Sequence, residues 1–85
     1  MPYIHKSRRD ELDKDIVALS RGIGNAGELN YAITKLLLGY LDERITSYSI
    51  FNEVMRVMEC AKQELYRRAV VPYENEKITE NGDAY

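Results

Sequence analysis

At 85 residues and a formal net charge of −2, the chain has room for one small domain and lacks the clustered positive charge that a nucleic-acid partner requires. No apolar run approaches the roughly 20 residues needed to span a bilayer. The single cysteine, Cys60, excludes an intrachain disulfide and fits a reducing compartment. The opening MPYIHKSRRD has no apolar core of the signal-peptide kind. Together these features predict a soluble cytoplasmic protein with neither DNA nor membrane as partner.

Residues 1–6 read as an extended arm, with Tyr3 and Ile4 in need of a docking place. A first helix is expected over 8–22, where Leu12, Ile16, Leu19 and Ile23 recur at helical spacing. Ser7 is its expected N-cap, followed by Asp10 and Glu11 in the first turn, with Asp13 as the alternative start. Gly22, Gly24 and Gly27 break the pattern. A second helix, 26–43, follows the good cap Asn25. Leu29, Ile33, Leu36 and Tyr40 form its stripe, widened by Leu37 and Leu41. The run Leu36-Leu37-Leu38 predicts burial on more than one side, which in so short a chain points to self-association.

A third helix, 48–71, starts near Ser47 or Ser49. Ile50, Val54, Val57, Ala61 and Leu65 give its stripe, with Phe51, Met55 and Met58 beside it. Pro72 removes a backbone donor and disfavours helix at Val71, so a bend is expected there. A helical extension over 72–81 follows, then an Asn81-Gly82 stop and a tail over 82–85. The alternative is a helix ending at Val71 with an ordered tail. The fold expected is all-α, a single small helical hairpin or three-helix domain with a long C-terminal helix bent near Pro72. A core this small is marginal in one copy, so a homo-oligomer is expected.

Seven tyrosines, one phenylalanine and no tryptophan make the aromatic content one-sided. Tyrosine joins a flat apolar face to a polar tip and suits interfaces and ring-shaped ligands. Tyr31, Tyr40 and Tyr48 read as the boundary of a small core. Asn52, Glu59, Tyr66 and Tyr73 are spaced by sevens and share one face of a straight helix, although a bend at Pro72 would turn Tyr73 out of line. Glu53, Cys60, Arg67 and Glu74 form the next row. This polar and aromatic strip fits either a binding surface or a seam between subunits.

Arg67 and Arg68 are the sharpest candidates, because guanidinium groups hold phosphates and carboxylates through paired hydrogen bonds. Tyr66 is placed to stack on a base while an arginine holds a phosphate. The competing reading pairs Arg68 with Glu64 and Arg67 with Glu74. If both arginines are engaged in that way, no cradle is left. Asn30 and Lys35 open the second helix, where a helix start meets an anion. Ordinary N-terminal capping explains them about as well. The candidate ligand-binding residues are therefore Arg67, Arg68, Tyr66, Tyr73, Asn30 and Lys35.

One histidine and one cysteine supply none of the usual zinc ligand sets within one chain. No GxxxxGK[ST], HExxH, GxSxG or EExxE motif occurs. The expectation is a non-enzyme with no catalytic residue, metal or cofactor. Cys60, mid-helix beside apolar neighbours, is expected to be a buried, inert thiol. A helix-turn-helix reading fails because the would-be reading helix sets Glu53 and Glu59 against Arg56 alone.

The segments MPYI, LNYAIT and ECAKQELYRRAVVPYENEKITENGDAY resemble a family of small uncharacterised proteins from phages, prophages and some bacteria and archaea. The resemblance covers nearly the whole chain and is densest from Glu59 to Tyr85. It implies a short helical protein in a mobile-element setting and assigns no functional residue. In that setting the expected function is an oligomeric sponge that sequesters a nucleotide-derived immune signal. The alternative is an adaptor or inhibitor that binds a host or phage protein. A nucleotide-processing enzyme ranks third.

Overall fold

The computed structural model describes residues 4–85. The fold is all-α, with three helices, the last of them long, and no strand among the described residues. These are α1 (Lys6–Gly22), α2 (Ala26–Asp42) and a final 34-residue helix. The final helix comprises α3 (Tyr48–Leu65), a π-helical segment (Tyr66–Val70) and α4 (Val71–Asn81). No described helix is long and apolar enough to cross a membrane. The chain divides into two units, residues 4–46 and Ser47–Tyr85.

In the first unit, α1 begins ahead of the expected start. The Arg9 amide donates to the His5 carbonyl at 2.9 Å, which places Ser7 inside the first turn. Ser7 is therefore not the cap; His5 occupies that position without a side-chain capping bond. The nearby acids serve as ion-pair partners instead, with Lys6–Asp10 at 3.0 Å and Arg8–Glu11 at 2.7 Å. Of the arm expected over 1–6, Ile4 and His5 lie outside the helix and Lys6 belongs to α1, while the docking of Tyr3 lies outside the described residues.

The start of α2 follows its sequence closely. Asn25 Oδ1 accepts from the Glu28 amide at 2.9 Å, and Glu28 Oε1 accepts in return from the Gly24 amide at 2.9 Å. The two side chains thus satisfy one amide of the first turn and the amide just before the cap. Within one copy of the chain, α2 leaves most of the Leu36-Leu37-Leu38 run open to solvent. Leu36 is 67 % exposed, and Leu37 alone of the three consecutive leucines is half-buried. Tyr31 and Tyr40 are exposed rather than core-bounding, and each carries a cation from the next turn. Lys35 lies 6.0 Å from the Tyr31 ring centre and Arg44 lies 3.4 Å from that of Tyr40.

In the second unit, Ser47 caps α3 by accepting from the Ile50 amide at 3.2 Å. Tyr48, one residue on, is 83 % exposed and bounds no core. Val54 is the one buried side chain among the described residues. Phe51, Met55, Val57, Met58 and Leu65 leave much of the apolar stripe of α3 open to solvent. The far end closes as its residues predict. Gly82 adopts φ +86°, a conformation that L-residues avoid, and its amide caps the Ile78 carbonyl at 2.8 Å.

Candidate functional site

The π-helical segment Tyr66–Val70 carries both candidate arginines and ends two residues before Pro72. In an α-helix, Pro72 would lack its hydrogen bond and press its ring on the Arg68 carbonyl. Here the helix widens first. The Val71 amide reaches back five residues to the Tyr66 carbonyl, and Pro72 falls in the opening turn of α4, where a missing amide matters least. The helix thus runs through the proline on a shifted register.

That shift rearranges the rows read from the sequence. Residues seven apart stay within about 20° of one another on a regular helix. One inserted residue transfers that alignment to residues eight apart. Accordingly the Tyr66 hydroxyl donates to Glu74 Oε2, at a long 3.5 Å, and Glu74 rather than Tyr73 continues the row of Glu59 and Tyr66. Tyr73 is turned aside and carries Lys77, whose Nζ lies 5.5 Å from the ring centre.

Arg67 and Arg68 converge on one carboxylate, that of Glu64. Arg67 donates from Nε and Nη2 to Oε1 at 3.3 and 3.1 Å, and from Nη2 to Oε2 at 3.1 Å. Arg68 donates from Nε to Oε2 at 2.9 Å. The pairing of Arg67 with Glu74 does not form, because the π segment has carried Glu74 round to Tyr66. The hydrogen bonds from Arg67, more than its charge, hold the Glu64 carboxyl below its ordinary range, and Arg68 adds to the effect against partial desolvation. Two guanidinium groups on one carboxylate leave a formal excess of one positive charge. Arg68 enters the cluster through Nε alone, so its two terminal amino groups stay outside the ion pair.

Two shallow grooves meet at Tyr66. One, of about 580 Å³, is lined by Glu59, Lys62, Gln63, Leu65, Tyr66, Arg67 and Val70. The other, of about 610 Å³, runs from Tyr66 past Tyr73, Glu74, Lys77 and Ile78 to the segment after Asn81. The structure therefore brings Tyr66 together with Arg67 in one groove and with Tyr73 in the other. Arg68 lines neither of the two.

Asn30 and Lys35 belong to the first unit. The Asn30 carbonyl accepts from Thr34 Oγ1 at 2.9 Å, a bond along the helix, and Lys35 lies over Tyr31. Cys60 is exposed, not buried as expected, as are its apolar neighbours Val57 and Met58. Among the described residues, no group of three His, Cys, Asp or Glu side chains is placed to hold a metal ion. The register shift and the Tyr66–Glu74 bond escaped the sequence reading. Their one signal is a helical pattern that continues without a cap on both sides of Pro72.

A family described as Domain of unknown function (DUF6899) matches residues 1–84. The chain belongs to this family. No curated protein and no solved structure matches it. The DUF6899 match spans both units, so the Glu64–Arg67–Arg68 cluster and the π segment lie inside the family domain.

Proposed function

We propose that this DUF6899 protein is a small, non-enzymatic, homo-oligomeric binding protein. Its ligand is a small anion of nucleotide type. In a phage or prophage setting it acts in the host cytosol as a sponge for a nucleotide-derived immune signal. The observation that carries this reading is the sharing of Glu64 by Arg67 and Arg68. It leaves a formal excess of positive charge at a cluster whose Arg67 shares a groove with Tyr66. A phosphate fits the guanidinium groups, and a base fits the tyrosine face. Oligomerisation is supported by the many apolar side chains exposed in both units.

The test is to mix purified protein with a panel of cyclic dinucleotides and ADP-ribose-type compounds and follow the melting temperature. Ligand at a hundred times its dissociation constant stabilises by about 2.7 kcal/mol. A rise that R67A/R68A abolishes supports the reading. No shift across the panel, with no nucleotide co-purifying, refutes it.

A second reading, an adaptor or inhibitor of another protein, is favoured by one specific observation. Phe51, Met55 and Met58 lie exposed together on α3, and flexible methionine surfaces suit protein partners.

A further inference from the structure

We infer that the strip joining the two grooves is an antiparallel, two-fold interface between copies of this chain, centred at the level of Arg68. The inference rests on the homo-oligomer in the function proposed above and specifies its seam. The first groove presents Glu59 and Lys62, and the second presents Glu74 and Lys77. Along the chain these charges run minus, plus, minus, plus. Lys62 stands six residues before Arg68 and Glu74 six after it; Glu59 stands nine before and Lys77 nine after.

Reversing a second copy about Arg68 therefore sets Lys62 against Glu74 and Glu59 against Lys77, each pair occurring twice. A parallel pair in register would instead place every charge against its own sign, which is unfavourable. The strip from Glu59 to Lys77 spans about 27 Å by helical rise.

The surface is open for such a partner. Met58, Leu65, Tyr66, Tyr73 and Ile78 are 40–64 % exposed along or beside it. The charges on it are held only by solvent-facing contacts within their own helix. Lys62 lies 3.9 Å from Glu59, Lys77 lies 3.2 Å from Glu80, and the Tyr66–Glu74 bond is long. Exposed pairs of this kind contribute little and exchange readily for contacts across a seam. Arg68, at the level of the axis, lines neither groove and keeps Glu64 as its counter-ion, so the two Arg68 side chains need not meet.

The register shift matters to this arrangement. It aligns Glu74 with Tyr66, and so brings the acid of the second groove into line with the strip that holds Lys62.

The experiment is a charge swap read by sedimentation equilibrium, with circular dichroism confirming helix content. Lys62→Glu and Glu74→Lys each raise the dimer dissociation constant about tenfold or more, since each sets two like-charge pairs across the seam. The double variant K62E/E74K restores the wild-type constant. An equimolar mixture of the two single variants also restores dimers, because the heterodimer again pairs opposite charges at both places. Within one helix, residues 62 and 74 are about 18 Å apart, so no contact inside a chain produces that rescue. A dimer indifferent to both single reversals, or no rescue by mixing, overturns this seam while leaving self-association intact. A wild-type chain that stays monomeric at all concentrations overturns both.

Discussion

Replacing Pro72 by alanine tests the link between the proline, the π segment and the alignment of Tyr66 with Glu74. In the structure the proline has no amide to donate, and its ring is accommodated because the helix reaches from Val71 back to Tyr66 across five residues. Alanine removes both demands. An interior proline costs about 3 kcal/mol relative to alanine in a regular helix. Part of that cost is already relieved by the π register, which leaves at least the missing hydrogen bond, about 1 kcal/mol. P72A is therefore expected to stabilise the protein by about 1–3 kcal/mol. For a domain of this size each kcal/mol moves Tm by about 4–8 °C.

Thermal melts at one fixed protein concentration measure the gain. A double-mutant cycle with Y66F reads the register. In the wild type, Y66F removes the bond to Glu74 and has a small cost. With Pro72 replaced, the helix returns to its regular register, Glu74 swings away from Tyr66, and Y66F becomes neutral. A P72A protein that melts at or below the wild-type temperature, with Y66F costing the same in both backgrounds, refutes the account of why the helix widens.

Asn25→Ala removes the acceptor of the Glu28 amide and should cost about 1 kcal/mol by urea denaturation, while Asn25→Asp should be nearly silent. The Glu64 cluster gives a pH dependence whose sign follows from its lowered carboxyl. Its contribution is fully present above the ordinary value of 4.5 and is lost as pH falls through the lower folded value, when the carboxyl protonates and releases both arginines. Acid titration of helix content should therefore show a component in the wild type that is absent from E64Q, and identical profiles would count against the shared carboxylate.

Local chemistry was legible in the sequence wherever it acts over one or two turns. Asn25, Ser47 and Gly82 sit where their cap and stop signals placed them, because a capping bond spans only three or four residues. The pairing of Arg68 with Glu64 was legible for the same reason, since four residues on a helix are neighbours in space. Ser7 misled because an acidic first turn after a serine is also what an interior turn looks like when Lys6 and Arg8 pair with Asp10 and Glu11. The tyrosines misled because burial is inferred from apolar spacing, whereas Tyr31 and Tyr40 find cationic partners four residues further along the chain.

By itself, then, the sequence determined an all-α chain, its helix ends other than the start of α1, and a polar, aromatic strip on the last helix. All three follow from hydrogen bonds and spacings between near neighbours. Only the three-dimensional structure decided how Pro72 is absorbed and, through that, which residues share the strip. A register change of one residue turns everything after it by about 100°. It turns Tyr73 out of the row of Glu59 and Tyr66, sends Glu74 away from Arg67, and leaves Glu64 to serve two arginines. No pairwise spacing in the sequence records that rotation, because it results from a clash between a ring and a carbonyl four residues earlier, and the backbone resolves that clash as a unit.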